Sequence, residues 1–193
     1  VSSPATKLHT YTTLVNYLTI QRNNTGIGME IGGILFSGGN LNTSRAAILA
    51  HTPSSDANGT LTFYTQPTSG SLTERLKITE TGNFGFSTTD IEAWNSSYRA
   101  FQMGSHNAIM YGNALSEVYF LNNLYNNGGF FARTTGASML LQMVSGAFEV
   151  KTAPSVTIDT APTLTTVLSI SNNGNMIATV GSTAGNGITI NGT

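Results

Sequence analysis

Apolar and polar residues alternate along this 193-residue chain, most clearly in a phrase that is written twice. From Leu72 to Glu80, Leu76 and Ile78 point one way while Arg75, Lys77 and Thr79 point the other, the period of two expected of a half-buried β-strand. The segment Leu164 to Asn175 repeats it. Leu72, Thr73, Leu76, Ile78, Gly82 and Asn83 fall on Leu164, Thr165, Leu168, Ile170, Gly174 and Asn175 at one offset of 92. Upstream, Gly59, Thr65 and Pro67 match Gly146, Thr152 and Pro154 at an offset of 87, and a short insertion before the second Leu-Thr reconciles the two. Val167, Ser169 and Ser171 replace Arg75, Lys77 and Thr79, so the shared constraint is the apolar pair and not the charge.

Each copy ends in Gly-Asn, where glycine takes positive φ without steric penalty and asparagine tolerates it better than most residues. Similar turn signals occur at 23–26, 37–40, 56–59 and 126–129. Short strands between such turns predict an all-β fold of short-stranded repeat modules, and the helical turn expected in it lies around Asp90 to Tyr98. Alternating Ile27, Met29 and Ile31 make GIGMEIGG at 26–33 a strand and turn rather than a phosphate loop, since no Gly-Lys-Ser/Thr follows. The repeat divides the chain into a first module at 1–89, a second at 90–183 and the start of a further element at 184–193.

Composition narrows the chemistry. Charged residues make up 9% of the chain, against about a quarter in an ordinary globular domain, so hydroxyls and amides must keep the surface wet. Eight scattered Lys and Arg and a net charge of -1 give no electrostatic footprint for nucleic acid. No apolar run approaches the roughly eighteen residues of a membrane-spanning helix, so no membrane insertion is expected. With no cysteine, disulfides and thiolate metal sites are excluded. His9, His51 and His106 lack ligand partners at short spacing, and no metal or cofactor is expected. Nine acids are thinly spread; the pair Asp90 and Glu92 beside Trp94 reads as a solvated linker, and no catalytic residue is assigned.

The run Gly59 to Thr89, GTLTFYTQPTSGSLTERLKITETGNFGFSTT, resembles the repeated modules of bacteriophage tail fibres, with Glu74, Arg75, Leu76, Ile78, Gly82, Asn83 and Gly85 on the shared motif. VSSPATKLHT at the start resembles the opening of such a module, which places Val1 after an earlier repeat and His9 at a structural junction. WNSSYRAFQMG at 94–104 and FLNNLYNN at 120–127 are similar to marine-phage fibre modules found upstream of intramolecular chaperone domains. The resemblance implies an elongated homotrimer of three parallel, intertwined chains in the virion, outside the cell, joined to other tail or baseplate proteins. The residues agree in kind, because short two-sided strands need their edges paired or closed. Leu61, Phe63, Leu76, Ile78, Phe148, Val150, Leu168 and Ile170 are then buried, either within a chain or between chains.

Binding potential concentrates between the two copies. Aromatic faces and amides hold sugars, so Trp94, Tyr98, Tyr111, Tyr119, Tyr125 and Asn126, with Asn122, Asn123 and Asn127, are the candidate contacts for a host-surface polysaccharide. Phe101, Phe120, Phe130, Phe131 and Phe148 are assigned to the core. The expected function is a structural and adhesive fibre segment. The alternatives are a tailspike-type depolymerase and an adhesin or injection-system fibre of bacterial origin.

Overall fold

The alternation of the sequence becomes strand after strand in the structure, a computed structural model that describes residues 30–37, 44–53, 58–68, 70–88, 90–112 and 116–178. The opening segment with His9, the turn at 23–26, Ile27 to Met29 and the element expected at 184–193 lie outside the described residues. The strands are β1 (Glu30–Ser37), β2 (Ser44–His51), β3 (Thr60–Thr65), β4 (Thr73–Ile78), β5 (Phe84–Phe86), β6 (Tyr98–Met103) and β7 (Asn107–Gly112). They continue as β8 (Glu117–Asn122), β9 (Leu124–Asn126), β10 (Phe130–Ala132), β11 (Gly136–Val144), β12 (Ala147–Val156), β13 (Thr165–Ile170) and β14 (Met176–Ala178). The fold is all-β. Twelve strands form one sheet in the order β1 to β8, then β11 to β14, while β9 and β10 form a separate hairpin.

Every neighbouring pair in the large sheet is antiparallel except β5 and β6, where Phe84, Gly85 and Phe86 run beside Phe101, Gln102 and Met103 in parallel. A parallel pair needs a crossover, and residues 87–97 supply it. The helical turn expected at Asp90 to Tyr98 is corrected here: the segment runs without helix and ends in a turn at Ser96 and Ser97, where Asn95 Oδ1 accepts from Ser97 N at 2.9 Å. Gln102, wholly buried, holds the crossover in this shape by donating to the Asp90 carbonyl at 2.6 Å and accepting from Glu92 N at 3.1 Å. The boundary expected after residue 89 thus falls in a strap that crosses one sheet.

The two copies of the phrase lie in matching registers. Leu61 faces Ile78 and Phe63 faces Leu76; Phe148 faces Ile170 and Val150 faces Leu168. Both ladders skip one residue at the same place, after Phe63 and after Val150. The turns match as well: Thr79 N donates to Asn83 O and Ser171 N to Asn175 O, both at 2.9 Å, with Gly82 and Gly174 at φ of 81° and 85°. Those positive angles are why glycine stands at both positions.

The core lies on one face of β6, β7, β8 and β11. Ala100, Ala108, Met110, Tyr119, Leu121 and Leu140 pack there beneath Trp94 of the crossover and Leu124 of β9. Asn123, in the left-handed region at φ 56°, turns the chain from the sheet into that covering hairpin. Its amide donates to the Thr134 and Ala137 carbonyls and accepts from Thr134 N and Oγ1, so a buried polar side chain is fully paired.

Candidate functional site

The six residues expected to contact sugar do not converge on one surface. Trp94 and Tyr119 are core residues, and Tyr98 and Tyr125 pack against that core. The Tyr98 and Tyr119 rings meet edge to face at 5.9 Å, and both hydroxyls donate to Glu117 Oε2, at 3.0 and 2.9 Å. Burial first, and then the bond to Glu117, push both phenols above their ordinary pKa. Tyr125 lies beside Phe131 at 5.7 Å and donates to Asp159, and Asn126 is buried with its carbonyl receiving Asn95 N at 2.8 Å. Tyr111 alone is half exposed, on the opposite face of the sheet. Of the asparagines named with them, Asn123 is the buried hinge, Asn122 donates to Asn107 at 2.8 Å and Asn127 is exposed.

That opposite face holds the first feature of interest. Gly32, Ala50, Leu61, Ile78, Phe84, Phe101, Ile109, Phe120, Leu141, Val150, Leu168 and Ala178 are partners in one unbroken row, one from each of the twelve strands. None is polar. Leu61, Phe84, Phe120 and Ile170 are each more than a third exposed, and Phe86 is 50% exposed. Phe120, assigned to the core from its sequence, therefore sits on the open face; Phe101, Phe130, Phe131 and Phe148 are partly buried. Hollows of about 400 Å³ open beside Phe120 and beside Phe84, lined by Met103, Ile109, Leu141, Phe101 and Tyr111. Apolar residues scattered singly over a surface are ordinary, whereas a contiguous row is not.

The second feature is a polar cleft on the other face of β2, β3 and β4, with a volume of about 410 Å³. Period two places Thr60, Thr62 and Tyr64 on that face, opposite Leu61 and Phe63. His51 of β2 and Glu74 and Lys77 of β4 join them, and Asp90 and Ile91 of the crossover close one side. Ile91 can lie there because Gly85 has no side chain: a Cβ on Gly85 would stand 2.6 Å from Ile91. Lys77 Nζ lies 3.1 Å from Glu74 Oε1 and Thr60 Oγ1 donates to Glu80 at 3.4 Å. Burial, and then the Glu74 charge, raise the Tyr64 phenol above its ordinary pKa. The strict alternation of TLTFYT carries this cleft in the sequence, but the residues facing it come from segments up to forty positions apart, and no motif joins them.

Nearby, Glu92 of the crossover pairs with Arg133 at 3.0 Å. Burial outweighs the attraction of Arg133, and the Glu92 carboxyl is held above the usual carboxylate range. Among the described residues, no group of three or more His, Asp or Glu side chains is arranged to hold a metal, and no helix is long and apolar enough to cross a membrane. No protein-family model and no curated protein matches the chain.

Proposed function

We propose that this chain is a segment of an elongated homotrimeric fibre, a structural and adhesive virion protein that sets reach and stiffness and contacts a host-surface glycan. The observation that carries this reading is the unbroken apolar row across twelve strands. An apolar surface of that extent gains about 25 cal/mol for each Å² removed from water, and its best complement is another surface of the same kind. Two further copies of the chain supply it, with their knobs such as Phe86 and Phe120 entering the hollows beside Phe84 and Met139. The matching registers of the two phrases support reading each as a repeat module. The tail-fibre assignment itself rests on the resemblance of residues 59–89, and the joining to tail or baseplate proteins on that assignment alone.

The test is the mass of the native particle. Protein matured from the complete gene should scatter light as three times the mass of its own chain, and Phe86→Glu on the open face should shift it toward smaller species. A stable, well-folded monomer would overturn the reading. Release of oligosaccharide from host polysaccharide would overturn its adhesive part in favour of a depolymerase.

A further inference from the structure

Three buried polar atoms around the cleft of β2, β3 and β4 lack hydrogen-bond partners. Thr62 is wholly buried, and its hydroxyl lies beside the Tyr64 phenol without a well-aligned hydrogen bond to it or to any other group. Glu74, whose side chain is 8% exposed, holds Oε1 within ion-pair distance of Lys77 but not in hydrogen-bonding alignment. His51 Nε2 is likewise buried and unpartnered. Folded chains satisfy nearly all such groups, because each unpaired one is destabilising. All three residues line one opening.

The second copy of the phrase supplies an internal control. The position that corresponds to Thr62 is Glu149, and its Oε2 receives both Gln142 and Lys151. That place is closed upon itself. Its counterpart in the first copy faces a cleft.

The unpaired atoms define their complement. A carboxylate oxygen accepts only, while an imidazole nitrogen and a hydroxyl can each accept or donate, so a partner that carries donors suits all three. Charge points the same way: Glu74, Glu80 and Asp90 line the cleft against Lys77 alone, a balance that repels anions and attracts a cation. Tyr64, edge-on to His51 at 6.5 Å, offers a ring for a C–H face or an ammonium group. A bare metal ion is a poor match, since among the described residues no three His, Asp or Glu side chains are grouped to hold one.

We propose that this cleft binds an amino sugar, with the ammonium group against Glu74 and Glu80 and ring hydroxyls at Thr62 and His51. A volume of about 410 Å³ suits one such unit with part of a neighbour. The proposal rests on the adhesive part of the reading above for its biological sense, while the binding itself is measurable in any state of assembly.

Titration calorimetry of the full native protein with glucosamine, glucose and glucuronate tests it. Glucosamine should bind saturably, glucose about tenfold more weakly for want of one charge-assisted bond, and glucuronate not at all. Glu74→Gln should weaken glucosamine about tenfold. Thr62→Val should also weaken it while leaving the melting temperature equal or higher, because it deletes a hydroxyl that the fold leaves unpaired. A residue with a purely structural role would not give that combination. Should Glu74→Gln fail to fold, Glu80→Gln at the exposed rim serves in its place. Absence of saturable glucosamine binding, equal binding of glucuronate, or unchanged affinity in the variants would sink the proposal. A trimer that ignores glucosamine overturns this site and leaves the fibre reading intact; a monomer that binds it does the reverse.

Discussion

Two copies of one phrase share a backbone and differ in what lies upon it. In the first, Asn83 is 4% exposed, and its Oδ1 receives Ala100 N at 2.9 Å, which fastens the turn to β6. In the second, Asn175 is exposed. Two residues after each asparagine the contrast recurs. Gly85 leaves room for Ile91 of the crossover, whereas the corresponding Ile177 is 64% exposed. The turn geometry is therefore set locally, by Thr or Ser, Gly and Asn at fixed spacing, while the burial of the same side chain depends on which segment comes over it. A repeated sequence here repeats a shape and not an environment.

The largest expected effect comes from writing the second copy into the first. Gly85→Ile places a branched side chain where Ile91 now lies and should destabilise the fold by about 3 kcal/mol in urea denaturation. If Ile177→Gly, the reverse change, costs as much, the distinction between the copies is lost. Next, Asn83→Ala leaves the Ala100 N–H buried without an acceptor and should cost about 2 kcal/mol, against about 0.5 kcal/mol or less for Asn175→Ala. Equal losses would mean that the turn alone uses the asparagine.

The smallest effect is a pH dependence confined to the crossover, which follows the first copy only. Folding raises the Glu92 pKa, so the neutral acid is the form the folded state favours. This contribution is fully present below the ordinary glutamate pKa of about 4.3 and is lost as pH rises through the higher folded value. Stability measured by thermal melts should therefore fall as pH rises across that interval, and Glu92→Gln should flatten the slope. A Glu92→Gln protein with an unchanged slope would place the titration elsewhere.

Much of the architecture was legible from single residues. The alternation at Leu76 and Ile78 identified β4, its echo at Leu168 and Ile170 identified β13, and Gly82 and Gly174 marked the turns. The crossover was not legible: Asp90 to Tyr98 carries weak helical spacing, and distant groups hold it extended, among them the Gln102 amide reaching back ten to twelve residues, Arg133 on Glu92 and the Asn126 carbonyl on Asn95. The packing of the aromatic stretch was not legible for a related reason. Tyr98, Tyr119 and Tyr125 have the chemistry of a sugar platform, yet Tyr119 lies in the core, Tyr98 and Tyr125 pack against it, and their hydroxyls are spent on Glu117 and Asp159.

Local pattern by itself determined that this chain is all-β, that Gly82 and Gly174 mark turns, and that Leu76 with Ile78 and Leu168 with Ile170 share one side of their strands, because period and glycine geometry act over a few residues. Tertiary structure decided what each side faces. Registry across twelve strands aligned scattered apolar residues into a single open row, and the strap behind β5 buried one copy's asparagine and closed one side of the cleft lined by Thr62, Glu74 and His51. Those outcomes depend on segments far apart in the chain meeting in space, and alternation within a strand carries no information about that.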